Sequence, residues 1–84
     1  MGQVSVTLNG RTYRLQCGKG EERRLIELAT YVTRRAEAVA EEFQALGDDR
    51  IMLLTAILIA DELWQARAQL AELERASPRL AGKQ

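Results

Sequence analysis

The sequence predicts a mixed α+β fold that is mostly α-helical: an N-terminal β-hairpin, an amphipathic helix and a long C-terminal oligomerisation helix of the coiled-coil type. Three observations lead to this prediction. Alternating apolar and polar residues surround an Asn-Gly pair, an apolar stripe with helical spacing follows, and a second stripe repeats in 4-3 steps. A chain of 84 residues holds one small domain at most.

The β-hairpin is predicted within residues 4–15, as strands 4–8 and 11–15 that alternate apolar and polar side chains around Asn9 and Gly10. An Asn-Gly pair tolerates the positive φ angles of a two-residue type I′ turn, so Leu8 should lie opposite Arg11. One face is then apolar, with Val4, Val6, Leu8, Tyr13 and Leu15 on it and Cys17 at its edge. Because an isolated two-stranded hairpin is barely stable in water, this face must cover another element.

The first helix is predicted to begin near Glu21 and Glu22, whose carboxylates suit the positive end of a helix dipole. It is predicted to end at Gly47, because glycine readily takes the left-handed conformation that follows a helix. Its apolar residues form one continuous stripe: Leu25, Ala29, Val32, Ala36, Val39, Phe43 and Leu46. The stripe predicts one buried face.

The second helix is predicted over residues 49–76, a length of about 42 Å, with Asp48 as its N-terminal cap and Pro78 as its limit. Residues with the spacing of a coiled-coil seam are the predicted oligomer interface: Met52, Ala56, Ile59, Leu63, Ala66, Leu70 and Leu73. Residues 51–58 add large apolar side chains on the other faces of the helix. One stripe cannot cover them, so a second copy of the chain is expected.

These patterns divide the chain into three segments. Residues 1–47 are predicted to form a globular head, and residues 48–76 a long oligomerisation helix. Residues 77–84 have no periodicity and are predicted to form a flexible tail.

Composition excludes several kinds of chemistry. The chain has one cysteine and no histidine, which rules out disulfide frameworks, Cys/His zinc sites and Cys-His or Ser-His-Asp nucleophile systems. The acidic pairs Asp48-Asp49 and Asp61-Glu62 are interpreted as a helix cap and a solvated helix face. We therefore predict no catalytic residue, no metal and no cofactor.

Charge and hydropathy also limit the partners. Twelve basic side chains balance twelve acidic ones, so binding to nucleic acid through its phosphates is not expected. The first residues carry neither a basic start nor an apolar run, and the apolar stretch 51–60 is well short of the roughly 20 residues that cross a bilayer. We expect a soluble cytoplasmic protein that does not enter a membrane.

Two arginines near the hairpin turn are the candidate binding residues. Residues 1–20 contain Arg11, Arg14 and Lys19 but no acidic residue, so a neutral chain has one basic end. This pattern is equally compatible with two roles. The arginines either protect a strand edge and keep it soluble, or bind a partner.

Three stretches resemble the ZapA family of bacterial cell-division proteins, which bind the tubulin-like protein FtsZ: VTLNGRTYRLQC, LIELATYVTRRAEAV and ILIADELWQA. The resemblance covers about residues 4–73 and depends on the order of an N-G-R hairpin, an amphipathic helix and an apolar helix ending in A-D-E-L. It implies a non-enzymatic homodimer or homotetramer that is joined through its C-terminal helix and cross-links FtsZ protofilaments at the mid-cell division ring. It also implies that Arg11 and Arg14, in the N-G-R-x-x-R element, bind FtsZ. In longer relatives the seam continues, whereas here it ends near Pro78.

Two alternatives stay open from the residues alone. A ribbon-helix-helix DNA-binding dimer also joins β-structure to two helices, although such domains use one strand per subunit and short helices. A generic helical oligomerisation adaptor with some other client protein would show the same periodicity. The resemblance is what favours FtsZ as the partner.

Overall fold

A β-hairpin followed by two long helices makes up the described part of the chain, in the order that the sequence predicts. The computed structural model describes residues 1–76, which form strands β1 (Gly2–Leu8) and β2 (Arg11–Cys17) and helices α1 (Glu22–Glu42) and α2 (Asp48–Ala76). The predicted tail, residues 77–84, lies outside the described residues.

The hairpin has the predicted turn and register. The strands pair antiparallel with Leu8 opposite Arg11. Asn9 and Gly10 have φ angles of 51° and 82°, the positive values that both central positions of a type I′ turn require. Each strand extends two residues further from the turn than the alternation predicts, because the pairing continues to Gly2 opposite Cys17.

Helix α1 ends earlier than the sequence predicts. Phe43 leaves the helical conformation with φ −122° and ψ 67°, although its N–H still donates to the Val39 carbonyl at 2.8 Å. The N–H of Leu46 then donates to the Phe43 carbonyl at 3.1 Å, which closes a turn. Gly47 has no positive φ, so the prediction that it ends the helix in a left-handed conformation is wrong. The earlier end lets Ile51 at the start of α2 reach the core beside Val39.

The core is small. In residues 1–76 four apolar side chains are buried: Val4, Ala36, Val39 and Ile51. Thr55 is buried with them, and its hydroxyl is satisfied because it donates to the Ile51 carbonyl at 2.7 Å. The first turns of α2 therefore pack in the same core as α1. The division into a head of residues 1–47 and an oligomerisation helix of residues 48–76 stays a prediction.

Helix α2 leaves many large apolar side chains exposed. It has 29 residues, a length of about 44 Å. The exposed large apolar residues of this helix are Leu53, Ile57, Leu58, Leu63, Trp64, Leu70 and Leu73. Trp64 is the chain's one tryptophan, and 69% of it is exposed. Neither described helix combines the length and the apolar character needed to span a membrane.

Candidate functional site at the hairpin turn and the second helix

The two candidate arginines lie on opposite faces of β2. Alternate residues of a strand point to opposite sides, so Arg11 shares a face with Leu8 and Tyr13, whereas Arg14 shares the other face with its partner Ser5. Both arginines are exposed. The structure therefore does not bring the two guanidinium groups into a single site, and each one offers a separate contact.

Arg11 contacts the beginning of α2. Its Nε lies 3.4 Å from Oδ2 of Asp48, and the two side chains are 71% and 42% exposed. The side-chain amide of Asn9 donates a hydrogen bond to the other carboxylate oxygen of Asp48. One carboxylate thus connects both sides of the hairpin turn to the second helix. An exposed ion pair of this kind contributes about 0 to 1 kcal/mol.

This arrangement corrects the predicted role of Asp48. The sequence predicts a cap outside the helix, but Asp48 is the first residue of α2 and its carboxylate binds the hairpin turn. The Gly47 carbonyl accepts the N–H of Ile51 at 3.0 Å and so begins the helical hydrogen bonding. The cap prediction is wrong, because the helix begins one residue earlier than predicted and the Asp48 carboxylate contacts Asn9 and Arg11, which are distant in sequence.

A second polar cluster joins the two helices. Tyr31 of α1 donates a hydrogen bond to Oε1 of Glu62 in α2, and Nη2 of Arg35 lies 2.6 Å from Oε2 of the same carboxylate. Glu62 is therefore not the solvated residue that the sequence suggests. Its neighbour Asp61 stays on the helix surface, where it accepts a hydrogen bond from Gln65 at 2.8 Å.

An open apolar groove of about 480 Å³ lies between the hairpin and the helices. It has more than three times the volume of a 150 Å³ cavity that holds one benzene molecule. Among the residues that line it are Val6, Tyr13, Leu15, Leu25, Val32 and Met52. Met52 also belongs to the predicted seam, so the groove is continuous with the predicted oligomer interface.

The predicted interface residues lie on one side of α2. Met52 and Ile59 are half-buried against the rest of the chain. The other five are exposed: Ala56, Leu63, Ala66, Leu70 and Leu73. Their role in an oligomer stays a prediction. Within residues 1–76 no three acidic or cysteine side chains stand close enough together to hold a metal ion.

The sequence names Arg11 and Arg14 as candidates, and their role stays a prediction, but it does not reveal the contacts of the hairpin turn with α2 or of α1 with α2. Asn9 and Asp48 are 39 positions apart, and Tyr31 and Glu62 are 31 apart. Local spacing carries no signal for contacts of this range. The apolar stripes indicate which faces of the two helices are buried. They do not indicate how far one helix is shifted along the other, and this shift decides which polar residues are in contact.

The chain matches one family model, described as "Cell division protein ZapA", over residues 4–83. The match covers nearly the whole chain and includes the hairpin arginines and every residue of the predicted seam. No curated protein and no solved structure matches the chain significantly.

Proposed function

Since the chain belongs to the ZapA family of cell-division proteins, which associate with FtsZ, we propose that it binds FtsZ and cross-links FtsZ protofilaments into bundles. It works as a homodimer or homotetramer at the cytoplasmic division ring. Arg11 and Arg14 contact FtsZ, and the seam of α2 joins the copies. This role needs no catalytic residue and no cofactor.

The exposed apolar surface of α2 supports the self-association. Leu70 and Leu73, near the end of the seam, are 57% and 65% exposed. Burial of apolar surface contributes about 25 cal/mol per Å², so covering several such side chains yields several kcal/mol, comparable to the stability of a small domain. A second copy supplies a seam of the same 4-3 spacing, which is the partner that such a seam fits.

Cross-linking follows from the number of hairpins in the assembly. A single copy could only decorate a filament, whereas a dimer carries two hairpins. Once one hairpin is bound, the second meets a neighbouring filament at a high effective concentration. Each contact can then be weak, and weak contacts dissociate quickly, which suits a ring that must remodel.

The hairpin arginines are suited to an acidic protein surface. Both are exposed, and residues 1–20 contain no acidic side chain. A guanidinium group binds a carboxylate through two parallel hydrogen bonds, which gives direction as well as attraction. Because Arg11 and Arg14 lie on opposite faces of β2, we propose that they contact different parts of the FtsZ surface.

The proposal is tested by sedimentation of FtsZ polymers with and without the protein, together with electron microscopy of the pellets. We expect the protein to sediment with the polymers and to convert single filaments into bundles. If neither co-sedimentation nor bundling occurs, the chain is not an FtsZ cross-linker.

The contact residues are tested by Arg11→Glu combined with Arg14→Glu. We expect much weaker bundling with an unchanged oligomer mass by light scattering. The matched control is Arg23→Glu with Arg34→Glu, which makes the same change of charge on the exposed surface of α1. If the hairpin double variant bundles FtsZ as well as the unsubstituted chain and the control do, the hairpin arginines only keep a strand edge soluble.

A further inference from the structure

We propose that Asp48 is a positioning residue for Arg11: its carboxylate holds the guanidinium by Nε and directs the two terminal nitrogens outward, toward a carboxylate of the protein partner. This inference rests on the proposed binding of FtsZ through the hairpin. It adds a residue of α2 to a site that otherwise belongs to the hairpin alone.

The contact between Arg11 and Asp48 leaves most of the guanidinium available. Among the described residues Arg11 forms an ion pair with Asp48 alone, and the contact is made through Nε. A guanidinium carries five N–H donors in one rigid plane, of which Nε supplies one. The other four are on the terminal nitrogens, and the side chain is 71% exposed. A partner carboxylate can therefore bind the terminal nitrogens of Arg11 while Asp48 stays in contact with Nε.

The carboxylate of Asp48 contacts two residues of the hairpin. Oδ1 accepts the hydrogen bond from the Asn9 amide, and Oδ2 faces Arg11. Asn9 in turn has the positive φ of 51° that the turn requires. Asp48, in the first turn of α2, thus contacts the hairpin on both sides of its turn, at Asn9 and at Arg11. Since arginine loses much rotamer freedom when it is ordered, an Arg11 that is ordered in advance loses less on binding.

The negative charge of Asp48 also has an effect that weakens binding, because it repels an acidic partner. Asp49 has the same charge one residue later, but its Oδ1 accepts the N–H of Arg50 at 2.9 Å and does not reach the hairpin. Substitution of either aspartate removes one negative charge from the first turn of α2. Only substitution of Asp48 also releases Arg11. The difference in binding affinity between the two variants therefore measures the effect of positioning Arg11.

The test compares Asp48→Ala with Asp49→Ala in the full chain, by co-sedimentation with FtsZ polymers at one fixed, low salt concentration. We expect Asp48→Ala to bind about threefold more weakly than Asp49→Ala, the size of effect that an exposed ion pair supports. In an Arg11→Ala background, Asp48→Ala should bind like Asp49→Ala. If Asp48→Ala weakened binding only because it disturbed the fold, the difference between the two aspartate variants would persist in the Arg11→Ala background. Asp48→Asn, which keeps the shape and one acceptor oxygen, should show a smaller loss in the same direction.

The outcomes separate this inference from the proposed function. Equal binding by the two aspartate variants, with Arg11→Ala clearly weakened, overturns the role of Asp48 and leaves the arginine contact intact. Tighter binding by Asp48→Ala than by Asp49→Ala also overturns it, because Asp48 would then mask Arg11. If Arg11→Ala binds normally, the arginine contact and the role of Asp48 are both wrong. If the unsubstituted chain does not bind polymers, the proposed function itself fails.

Discussion

Tyr31 on α1 donates a hydrogen bond to Glu62 on α2, and this contact joins the two helices across a separation of 31 positions in the chain. The hydrogen bond raises the pKa of the Tyr31 phenol above its ordinary value, and partial burial and the charge of Glu62 act in the same direction. The nearby charge of Arg35 lowers it by a smaller amount. The folded chain therefore holds the phenol proton more tightly than the unfolded chain does.

We predict that this hydrogen bond makes stability depend on pH in the alkaline range. A raised pKa in the folded state gives a stabilisation that is complete below the unfolded value, about 10 for tyrosine. The stabilisation is lost as the pH rises through the raised value. Urea unfolding between about pH 8 and pH 11.5 measures it, and Tyr31→Phe should remove this part of the pH dependence. Tyr13→Phe is the control, and equal curves for the two variants would contradict the prediction.

Gly10→Ala should destabilise the hairpin. A Cβ added at Gly10 would meet no atom within 4 Å, but the backbone there has a φ of 82°. The cost is therefore backbone strain alone, about 1 to 2 kcal/mol in the free energy of unfolding. Gly47→Ala is a matched control without a positive φ, where the added Cβ would lie 3.3 Å from Oδ1 of Asp49. Urea unfolding of both variants checks the prediction, which an equal loss in the two would contradict.

Ile51→Ala should cost about 2 to 5 kcal/mol, because it leaves a cavity in the core. Ile51 is 5% exposed and packs with Ala36 and Val39. In so small a core, we expect a loss of this size to unfold much of the protein at 37 °C. Thermal unfolding by circular dichroism, at one protein concentration, measures the effect. The control is Ile26→Ala on the half-exposed surface of α1, and a similar loss there would argue against the described core.

Leu70→Lys should weaken the assembly without disturbing the fold of one chain. Leu70 is exposed in the chain but belongs to the predicted seam, where an unpaired ammonium group would be buried between copies. We expect the dissociation constant of the oligomer to rise tenfold or more. Light scattering over a range of concentrations measures it. Gln69→Lys adds the same charge at the next position and should leave the mass unchanged, whereas an unchanged mass for Leu70→Lys would contradict the seam.

The sequence predicts those parts of the fold that depend on neighbouring residues. Asn9 and Gly10 determine the turn, and the alternation around them determines the register, because both depend on backbone angles within a few residues. The end of α1 and the role of Asp48 were predicted wrongly, since both depend on how α2 folds back. Ile51 must reach the core, and the hairpin turn competes for the Asp48 carboxylate. The opposite faces of Arg11 and Arg14 follow from the same alternation, because an odd number of positions separates them along one strand. The contact between Arg11 and Asp48 could not be predicted, because it depends on how α2 packs against the hairpin.

The position of Trp64 provides an optical signal for the assembly. This indole is the chain's one tryptophan, and in a single copy most of it is in contact with water. Its emission therefore reports one place on α2 with no background from other indoles and no added dye. A blue shift on raising the concentration of the protein would mean that a neighbouring copy covers this side of the helix. An unshifted spectrum alongside a rising mass would place the contact on another side.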